Sequence, residues 1–212
     1  MIKLKDLLFE AKKPSIFIPR RMEDRVERMI KSYVRNGSKG TLDLGKFGLI
    51  ELPSILKDID VEETFSCSNN KLTSLDNLPK SIGKNFYCYD NQLTSLIGSP
   101  ERVNGDFFCH YNKLTTLFGA PKYVGGTFYC NFNDITSLVG APVIVGETFD
   151  CSYNKLLTSL EGVPKTVGKD FIFNQYRSKG KKLFTEEQIR AVCDVKGKVY
   201  IESIRSRIYR KK

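Results

Sequence analysis

Hydrophobic positions in the middle of the chain recur with a period of 21 residues. A phenylalanine marks each period, at Phe65, Phe86, Phe107, Phe128 and Phe149. A cysteine follows each phenylalanine by two residues, at Cys67, Cys88, Cys109, Cys130 and Cys151. An asparagine follows three residues later, at Asn70, Asn91, Asn112, Asn133 and Asn154. Several residue types that share one period indicate a single structural unit repeated along the chain.

Each unit predicts a short β-strand followed by a return of the chain. Phe65 and Cys67 lie on one face of the strand because side chains alternate along a strand, and Ser66 lies on the other face. Leu72 and Leu75 complete the apolar side of the unit. About 21 residues leave no room for a full α-helix with two loops. One unit cannot bury its apolar face alone, so the units must stack.

The repeated pattern resembles the leucine-rich repeat, Leu-x-Leu-x-x-Asn-x-Leu, with Phe and Cys in the first two Leu places. It is most similar to the short bacterial and phage type, whose convex side is extended rather than helical. The resemblance covers residues 61–176, and residues 42–53 carry it in a weaker form. It implies an α/β-type solenoid that is mostly β, with one short parallel strand per repeat. About seven strands at ~4.8 Å spacing predict a sheet on the order of 30 Å long.

Both ends of the chain predict caps on the solenoid. Residues 18–35 carry apolar side chains at helical spacing, and the predicted helix ends at Asn36-Gly37. Thr185 to Gln188 has the form of a capping box and predicts a short helix with Ile189, Val192 and Cys193 on its apolar side. Residues 199–208 are compatible with a strand or a helix. The predicted organisation is therefore a targeting-like segment with a capping helix (1–40), a repeat solenoid (41–176) and a basic C-terminal cap (177–212).

Charge is distributed unevenly along a chain whose net charge is +10. Residues 1–40 hold 11 Lys or Arg and 5 Asp or Glu, and residues 175–212 hold 12 and 4. The middle of the chain holds 11 basic and 15 acidic residues. Basic ends are either solvated caps or sites that contact nucleic acid or an acidic partner, because clustered Lys and Arg release counterions from phosphate backbones.

The chemistry-bearing residues favour a protein without catalytic activity. The recurring cysteines occupy inward positions and do not form the Cys-x-x-Cys pairs that zinc sites use, so we expect them, together with Cys193, to be core residues. A single histidine, His110, excludes a histidine-based triad or a multi-histidine metal site. No phosphate-cradling glycine loop is present. The sequence therefore predicts no enzyme activity, no metal and no cofactor.

The outward strand positions predict a binding surface on the concave face. The alternation places Tyr87, Phe108 and Tyr129 in one vertical strip, and tyrosine is favoured in binding hot spots. The predicted partner-binding residues are Tyr87, Tyr89, Phe108, His110, Tyr129, Asn131 and Asp150. The alternative is that the stacked aromatic side chains only stabilise the sheet. A protein is the expected partner, since stacking of single-stranded bases is less compatible with an acidic sheet.

Two further sets of residues flank this strip. Tyr111, Phe132 and Tyr153 form a second aromatic column just beyond the strands, which we assign mainly to cross-strand packing that stabilises the sheet, because it is placed to tuck into the bend. The opposite flank is formed by Asn85, Asp106, Thr127 and Thr148.

The first eleven residues, Met1-Ile-Lys-Leu-Lys-Asp-Leu-Leu-Phe-Glu-Ala, resemble the prohead-targeting peptide of head proteins in T-even-type phages. The resemblance implies cleavage by the maturation protease between Glu10 and Ala11. The alternative is an amphipathic helical turn that packs on the N-terminal cap. We expect the protein in a host bacterial cytoplasm or in a phage head, without a secretory signal peptide and without a membrane span.

Two functions are compatible with these patterns. The first is a phage-encoded module that binds a host or viral protein through the concave aromatic face. The second is a structural virion component that contacts capsid or packaged DNA through the basic ends. The sequence does not determine the oligomeric state.

Overall fold

The computed structural model describes residues 20–177 and 184–205, with side chains for residues 24–174 and 184–201. The predicted cleavage site at Glu10 and Ala11 lies outside these residues, as does much of the basic sequence at both ends. Every structural statement below refers to the described part.

Fifteen short strands and two helices make up the described regular structure, with one 3₁₀ turn at Ser54–Asp58. The helices are α1 (Arg20–Arg35) and α2 (Glu186–Arg190). The strands, in chain order, are β1 (Leu42–Asp43), β2 (Asp60–Val61), β3 (Phe65–Ser66), β4 (Ser81–Ile82), β5 (Phe86–Tyr87), β6 (Arg102–Val103), β7 (Phe107–Phe108), β8 (Tyr123–Val124), β9 (Phe128–Tyr129), β10 (Ile144–Val145), β11 (Phe149–Asp150), β12 (Thr166–Val167), β13 (Phe171–Arg177), β14 (Asp194–Val195) and β15 (Val199–Arg205).

The strands stack as a parallel β-solenoid. All odd-numbered strands form one eight-stranded sheet in the order β1-β3-β5-β7-β9-β11-β13-β15. The even-numbered strands form the opposite side, as a pair β2-β4 and a five-stranded sheet β6-β8-β10-β12-β14. Equivalent residues of successive coils are paired, for example Phe86 with Phe107. This confirms the prediction of a mostly β solenoid with one short parallel strand per repeat on the first side, and the second side is extended as well.

The core is a ladder of identical side chains. The inward phenylalanines from Phe65 to Phe149 are fully buried, and neighbouring rings lie 5.2 to 6.0 Å apart between centroids. The five repeat cysteines are also fully buried and unpaired. Leu72 and Leu75 pack into the same cluster. The predicted inward positions are therefore correct, because a two-residue alternation decides which side chains enter the core.

The asparagine ladder joins each coil to its neighbour. The Oδ1 atom of Asn112 accepts a hydrogen bond from the Leu93 backbone N–H at 2.9 Å. Its Nδ2 atom donates to the carbonyl oxygens of Cys88 and Cys109, both at 3.1 Å. The equivalent residues Asn91, Asn133 and Asn154 make the same three kinds of contact in their own coils. The amides thus pair backbone groups that would be buried without partners at the bend.

Helix α1 packs against the first coil. Val26, Ile30 and Tyr33 of this helix are buried in the solenoid core cluster. The Tyr33 hydroxyl donates to the Ser38 carbonyl at 2.5 Å and accepts from the Glu62 N–H at 3.2 Å. The helix ends at Arg35, just before the predicted Asn36-Gly37, and Gly37 has a φ of 77°.

The C-terminal region continues the first sheet. Strands β13 and β15 pair over seven residues each, and β15 adds an eighth strand to the seven that were predicted. Residues 199–205 are therefore strand rather than helix. Helix α2 has the predicted capping box, with Ile189 and Cys193 buried. Val192, which was predicted to lie in this helix, follows its end at Arg190 and is 55% exposed.

Candidate functional site

The exposed side of the eight-stranded sheet, which we call the aromatic face, carries three vertical columns of side chains. The first column follows the strand pairing, and its members are Ser66, Tyr87, Phe108, Tyr129, Asp150, Ile172 and Tyr200. The second column comprises Ser68, Tyr89, His110, Asn131 and Ser152, and the third comprises Tyr111, Phe132 and Tyr153. The structure therefore brings all ten predicted contact residues to one side of the solenoid.

Rings of the first column stack face to face. The Tyr87 and Phe108 centroids lie 4.8 Å apart, and those of Phe108 and Tyr129 lie 4.7 Å apart, with interplanar angles of 17° and 15°. Both faces of the Phe108 ring are therefore covered by neighbouring rings. A partner that approaches the column meets ring edges and tyrosine hydroxyl groups rather than open ring faces.

His110 connects the three columns. Its ring stacks on Tyr89 at 4.6 Å and 9°, and it makes edge contacts with Phe108 at 5.9 Å and Tyr111 at 5.5 Å. Burial lowers the pKa of His110, an effect that the nearby Asp90 partly opposes. The imidazole is therefore neutral at pH 7 and forms part of a continuous aromatic surface.

Unpaired polar atoms are concentrated in the second column. Four buried side-chain polar atoms of the described residues have no hydrogen-bond partner, and three of them are Ser68 Oγ, His110 Nδ1 and Asn131 Oδ1. Buried polar atoms are normally paired, so such a cluster requires an explanation. His110 Nδ1 and Asn131 Oδ1 belong to neighbouring coils in the middle of the column, and Ser68 Oγ lies at its N-terminal end.

The third column occupies a strained corner of each coil. Tyr111, Phe132 and Tyr153 have φ values of 51°, 53° and 54°. The equivalent residues of the two preceding coils are Asn69 and Asp90, the residue types that tolerate this conformation best. The aromatic rings stack at 4.3 Å on each other. The stacking agrees with the cross-strand packing expected of this column, although Tyr111 is 51% exposed and Tyr153 37% exposed, so these two rings do not tuck fully into the bend.

The electrostatic character of the aromatic face is acidic. Outward positions of the odd strands from β1 to β11 include Asp43 and Asp150 but no Lys or Arg. The nearest lysines on the N-terminal flank, Lys84 and Lys169, form ion pairs with Glu63 and Glu147. Burial raises the pKa of the Asp150 carboxyl, against the opposing effect of hydrogen bonds from Ser152.

Nearby carboxylates affect the pKa values of the tyrosine hydroxyls in the first column. Burial raises the pKa of Tyr129, and the charges of Asp150, Asp106 and Glu147 raise it further. Burial and then Asp106 raise the pKa of Tyr87. Both phenols are therefore protonated at neutral pH and can donate hydrogen bonds to a partner.

Side chains of the flank formed by Asn85, Asp106, Thr127 and Thr148 make hydrogen bonds between successive coils. Asn85 Nδ2 donates to Thr64 Oγ1 at 3.0 Å, and its Oδ1 accepts from the Asp106 N–H at 2.8 Å. Asp106 Oδ1 accepts in turn from the Thr127 N–H at 2.8 Å. These side chains join successive coils at the entrance of each strand.

Two residues of the face were missed by the sequence reasoning. Ile172 and Tyr200 extend the first column and line a shallow depression with Asn174, Val199 and Ile201. The available signal was the spacing of Val195 and Val199, which equals that of Val167 and Phe171 at the start of β13. The spacing of this last unit differs from 21 residues, which concealed its relation to the repeat.

A second exposed apolar feature lies on the turns at the other side of each coil. Ile97, Phe118 and Val139 are 61%, 63% and 42% exposed and are 21 residues apart. We call this set the turn stripe. Each member precedes a glycine with positive φ, namely Gly98, Gly119 and Gly140. The turn stripe was also absent from the sequence predictions.

The described residues offer little for catalysis or metal binding. No group of three or more His, Cys, Asp or Glu side chains among them is arranged to hold a metal ion. Burial raises the pKa of every repeat cysteine well above its usual value, so these thiols are not nucleophiles at neutral pH. No described helix combines the length and apolar character needed to cross a membrane.

Comparison of the sequence with models of protein families gives no match, and comparison with curated proteins gives none either.

Proposed function

We propose that this chain is a non-catalytic leucine-rich-repeat protein that binds a protein partner through the aromatic face. The observation that carries the proposal is the half-buried aromatic surface around His110, where stacked rings coincide with unpaired polar atoms. Its contact residues are the seven named from the sequence, Tyr87, Tyr89, Phe108, His110, Tyr129, Asn131 and Asp150, together with Tyr111, Phe132 and Tyr153 of the third column.

Backbone strain in the third column supports a binding role. An aromatic residue with positive φ costs about 1 kcal/mol or more, and Asn or Asp at the same corner avoids most of that cost. Three successive coils nevertheless place Tyr111, Phe132 and Tyr153 there, with Tyr111 and Tyr153 exposed and Phe132 half-buried between them. A side chain that is strained and exposed contributes more to recognition than to the core.

The leucine-rich-repeat assignment is supported by the agreement between repeat positions and structural roles. Phe and Cys fill the first two inward positions, and Leu covers the remaining sides of the coil. The Asn side chain hydrogen-bonds backbone groups at the bend. Helix α1 and helix α2 with β15 serve as caps in this proposal, because they cover ends whose strands would otherwise pair with other chains.

A protein is favoured over single-stranded nucleic acid as the partner. Nucleic acid bases bind aromatic side chains by stacking on free ring faces. The first column instead has its interior ring faces covered, and the aromatic face carries carboxylates that repel phosphate. Tyrosine edges and hydroxyl groups suit a polypeptide surface.

The origin we propose is a tailed phage, on the resemblance of residues 1–11 to prohead-targeting peptides. Co-expression with a prohead maturation protease tests this. Mass spectrometry should then show a chain that begins at Ala11, and a Glu10→Ala variant should remain intact. An uncleaved wild-type chain under conditions where a prohead substrate is cut contradicts this part of the proposal.

Affinity capture from bacterial lysate tests the binding role. The bait is the full chain, and the lysate is treated with nuclease and used at low and high salt. The test variant carries Tyr87→Ser, Phe108→Ser and Tyr129→Ser. The matched control carries three serines on the turn stripe, at Ile97, Phe118 and Val139. Circular dichroism verifies the fold of both variants.

The expected result is a protein that resists high salt, binds wild type and the turn-stripe variant, and is lost with the aromatic-face variant. Capture only of nuclease-sensitive material, lost at high salt and equal for all three baits, contradicts the proposal. That outcome favours the alternative of a virion component that contacts packaged DNA through its basic ends, because phosphate binding weakens steeply with salt.

A further inference from the structure

A single carboxylate interrupts the apolar first column. Asp150 lies between Tyr129 on one neighbouring strand and Ile172 on the other. Its Oδ1 atom accepts the Ser152 N–H at 2.8 Å, and it forms no ion pair within the part of the chain that the structure describes. A half-buried carboxylate with apolar neighbours favours a cationic partner, because burial disfavours the unpaired charge.

The Tyr129 ring is stacked on one side only. Phe108 covers one face at 4.7 Å. No aromatic ring of the described residues stacks on the opposite face, which is the side of the strand that carries Asp150. This ring is therefore the end of the aromatic stack and adjoins a carboxylate.

The surroundings strengthen the preference for a cation. Asp150, Asp106 and Glu147 all act on the Tyr129 hydroxyl. Lys169 pairs with Glu147 at 2.7 Å and also interacts with the charge of Asp106, whereas Asp150 accepts hydrogen bonds only from Ser152 among the described residues. His110 at 6.2 Å from Tyr129 is neutral and supplies no competing positive charge.

We propose that the step between Tyr129 and Asp150 binds an arginine side chain of a protein partner, with the guanidinium stacked on the face of Tyr129 that no aromatic ring covers and hydrogen-bonded to Asp150. Arginine fits this step because its guanidinium is planar, stacks on aromatic rings and matches a carboxylate with a fork of donors. Lysine carries the same charge, but its ammonium group is not planar and does not present a forked pair of donors to a carboxylate. The inference rests on the proposed function, since it assigns chemistry to one part of the same face.

Selection from a random-peptide display library with the full chain as bait supplies the probe. The strongest peptide is then synthesised in three forms, with arginine, with lysine or with the uncharged isostere citrulline at the preferred basic position. Each form is titrated against wild type, Asp150→Asn and Asp76→Asn. Asp76 is exposed on the turn-stripe side, so the second variant makes the same charge change away from the aromatic face.

The expected result is enrichment of arginine in the selected peptides. Asp150→Asn should weaken the arginine peptide by about tenfold to a hundredfold, as for loss of a charge-assisted hydrogen bond, and Asp76→Asn should not. The citrulline peptide should bind weakly to wild type and should not respond to Asp150→Asn. This non-additivity separates direct contact from a general effect on the fold.

Four outcomes overturn the inference. Peptides that need Tyr87, Phe108 and Tyr129 but show no arginine preference refute the arginine step and leave the proposed function standing. Peptides indifferent to those three residues, or binding of a single-stranded oligonucleotide that requires them, refute both proposals. Self-association that Asp150→Asn abolishes identifies a second copy of this basic chain as the occupant, in place of a separate partner.

Discussion

The rings of Phe132 and Tyr153 lie 4.3 Å apart between centroids and only 6° from parallel, although both residues have positive φ. Stacking of this kind contributes about 0.5–1.5 kcal/mol per pair. The left-handed backbone of a bulky residue costs about 1–2 kcal/mol. The two effects are similar in size, so the third column contributes little net stability.

Replacement of Phe132 by asparagine tests this balance. Phe132→Asn loses two stacking contacts but gains a residue suited to positive φ, as at Asn69. We expect the free energy of unfolding to change by less than about 1.5 kcal/mol. Urea unfolding followed by circular dichroism measures it. Phe128→Ala, a core replacement, should cost about 3–5 kcal/mol, and a similar loss for Phe132→Asn would show that the column is part of the core.

Replacement of a ladder asparagine by alanine should lower the stability of the fold strongly, although the asparagine side chain is small. Asn112→Ala leaves the Leu93 N–H without its acceptor, whereas the carbonyls of Cys88 and Cys109 each lose one of two amide donors and keep those of Asn91 and Asn133. We expect a loss of about 1–3 kcal/mol in the free energy of unfolding, because a buried backbone N–H is left unpaired. Asn104 is an exposed control whose Nδ2 donates to Gly83. Asn104→Ala should cost less than about 1 kcal/mol, and equal losses for the two variants contradict the role of the ladder.

The buried cysteines predict alkaline unfolding. Burial raises the pKa of the repeat thiols above 9.0, so the unfolded chain releases their protons first as pH rises. Stability is therefore present below pH 9 and decreases above it, by about 1 kcal/mol per thiol between pH 9 and pH 10. Chemical unfolding at stepped pH measures this slope.

A cysteine-to-alanine variant provides the control for that slope. Cys130→Ala removes one fully buried thiol, and the alkaline slope should decrease by the contribution of one proton. A thiol reagent at pH 8 should leave the folded protein unmodified and label all six cysteines after denaturation. Rapid labelling of the folded protein is incompatible with the buried ladder.

Close approach of successive coils makes Gly146 sensitive to any side chain. A Cβ atom at this position would lie 2.1 Å from the Gly125 carbonyl oxygen, which belongs to the backbone and cannot rotate away. We expect Gly146→Ala to cost at least about 2 kcal/mol in the free energy of unfolding. At Gly48 an added Cβ meets no atom within 4 Å, although φ is 69°. Gly48→Ala should cost only about 1 kcal/mol by thermal unfolding, and the reverse order would refute the coil contact.

The repeat made most of the fold predictable from the sequence. Phe107, Cys109 and Asn112 recur at a fixed period, and a residue two positions from another inward residue in a strand must also face inward. The same rule assigned Tyr87, Phe108 and Tyr129 to the exposed side. The capping box at Thr185 and the helix end at Gly37 were equally local signals.

Features that depend on contacts between distant residues were predicted less well. Val199 to Arg205 contains no repeat cysteine or asparagine, and only its pairing with β13 decides that it is a strand. The position of Tyr200 on the aromatic face was therefore not predicted. The turn stripe of Ile97, Phe118 and Val139 was missed for a related reason. The sequence alone does not distinguish an exposed apolar residue in a turn from a buried one.

The sequence by itself determined the period, the parallel stacking and the identity of the inward and outward side chains, because these follow from strand alternation and the need to bury each coil. Only the tertiary structure decided how the outward side chains pack. Whether Tyr111 tucks into the bend or stands exposed depends on a backbone φ value of 51°, and whether Asp150 finds an ion pair depends on neighbours one coil away. These relations are set by the spacing between coils, which no single repeat contains.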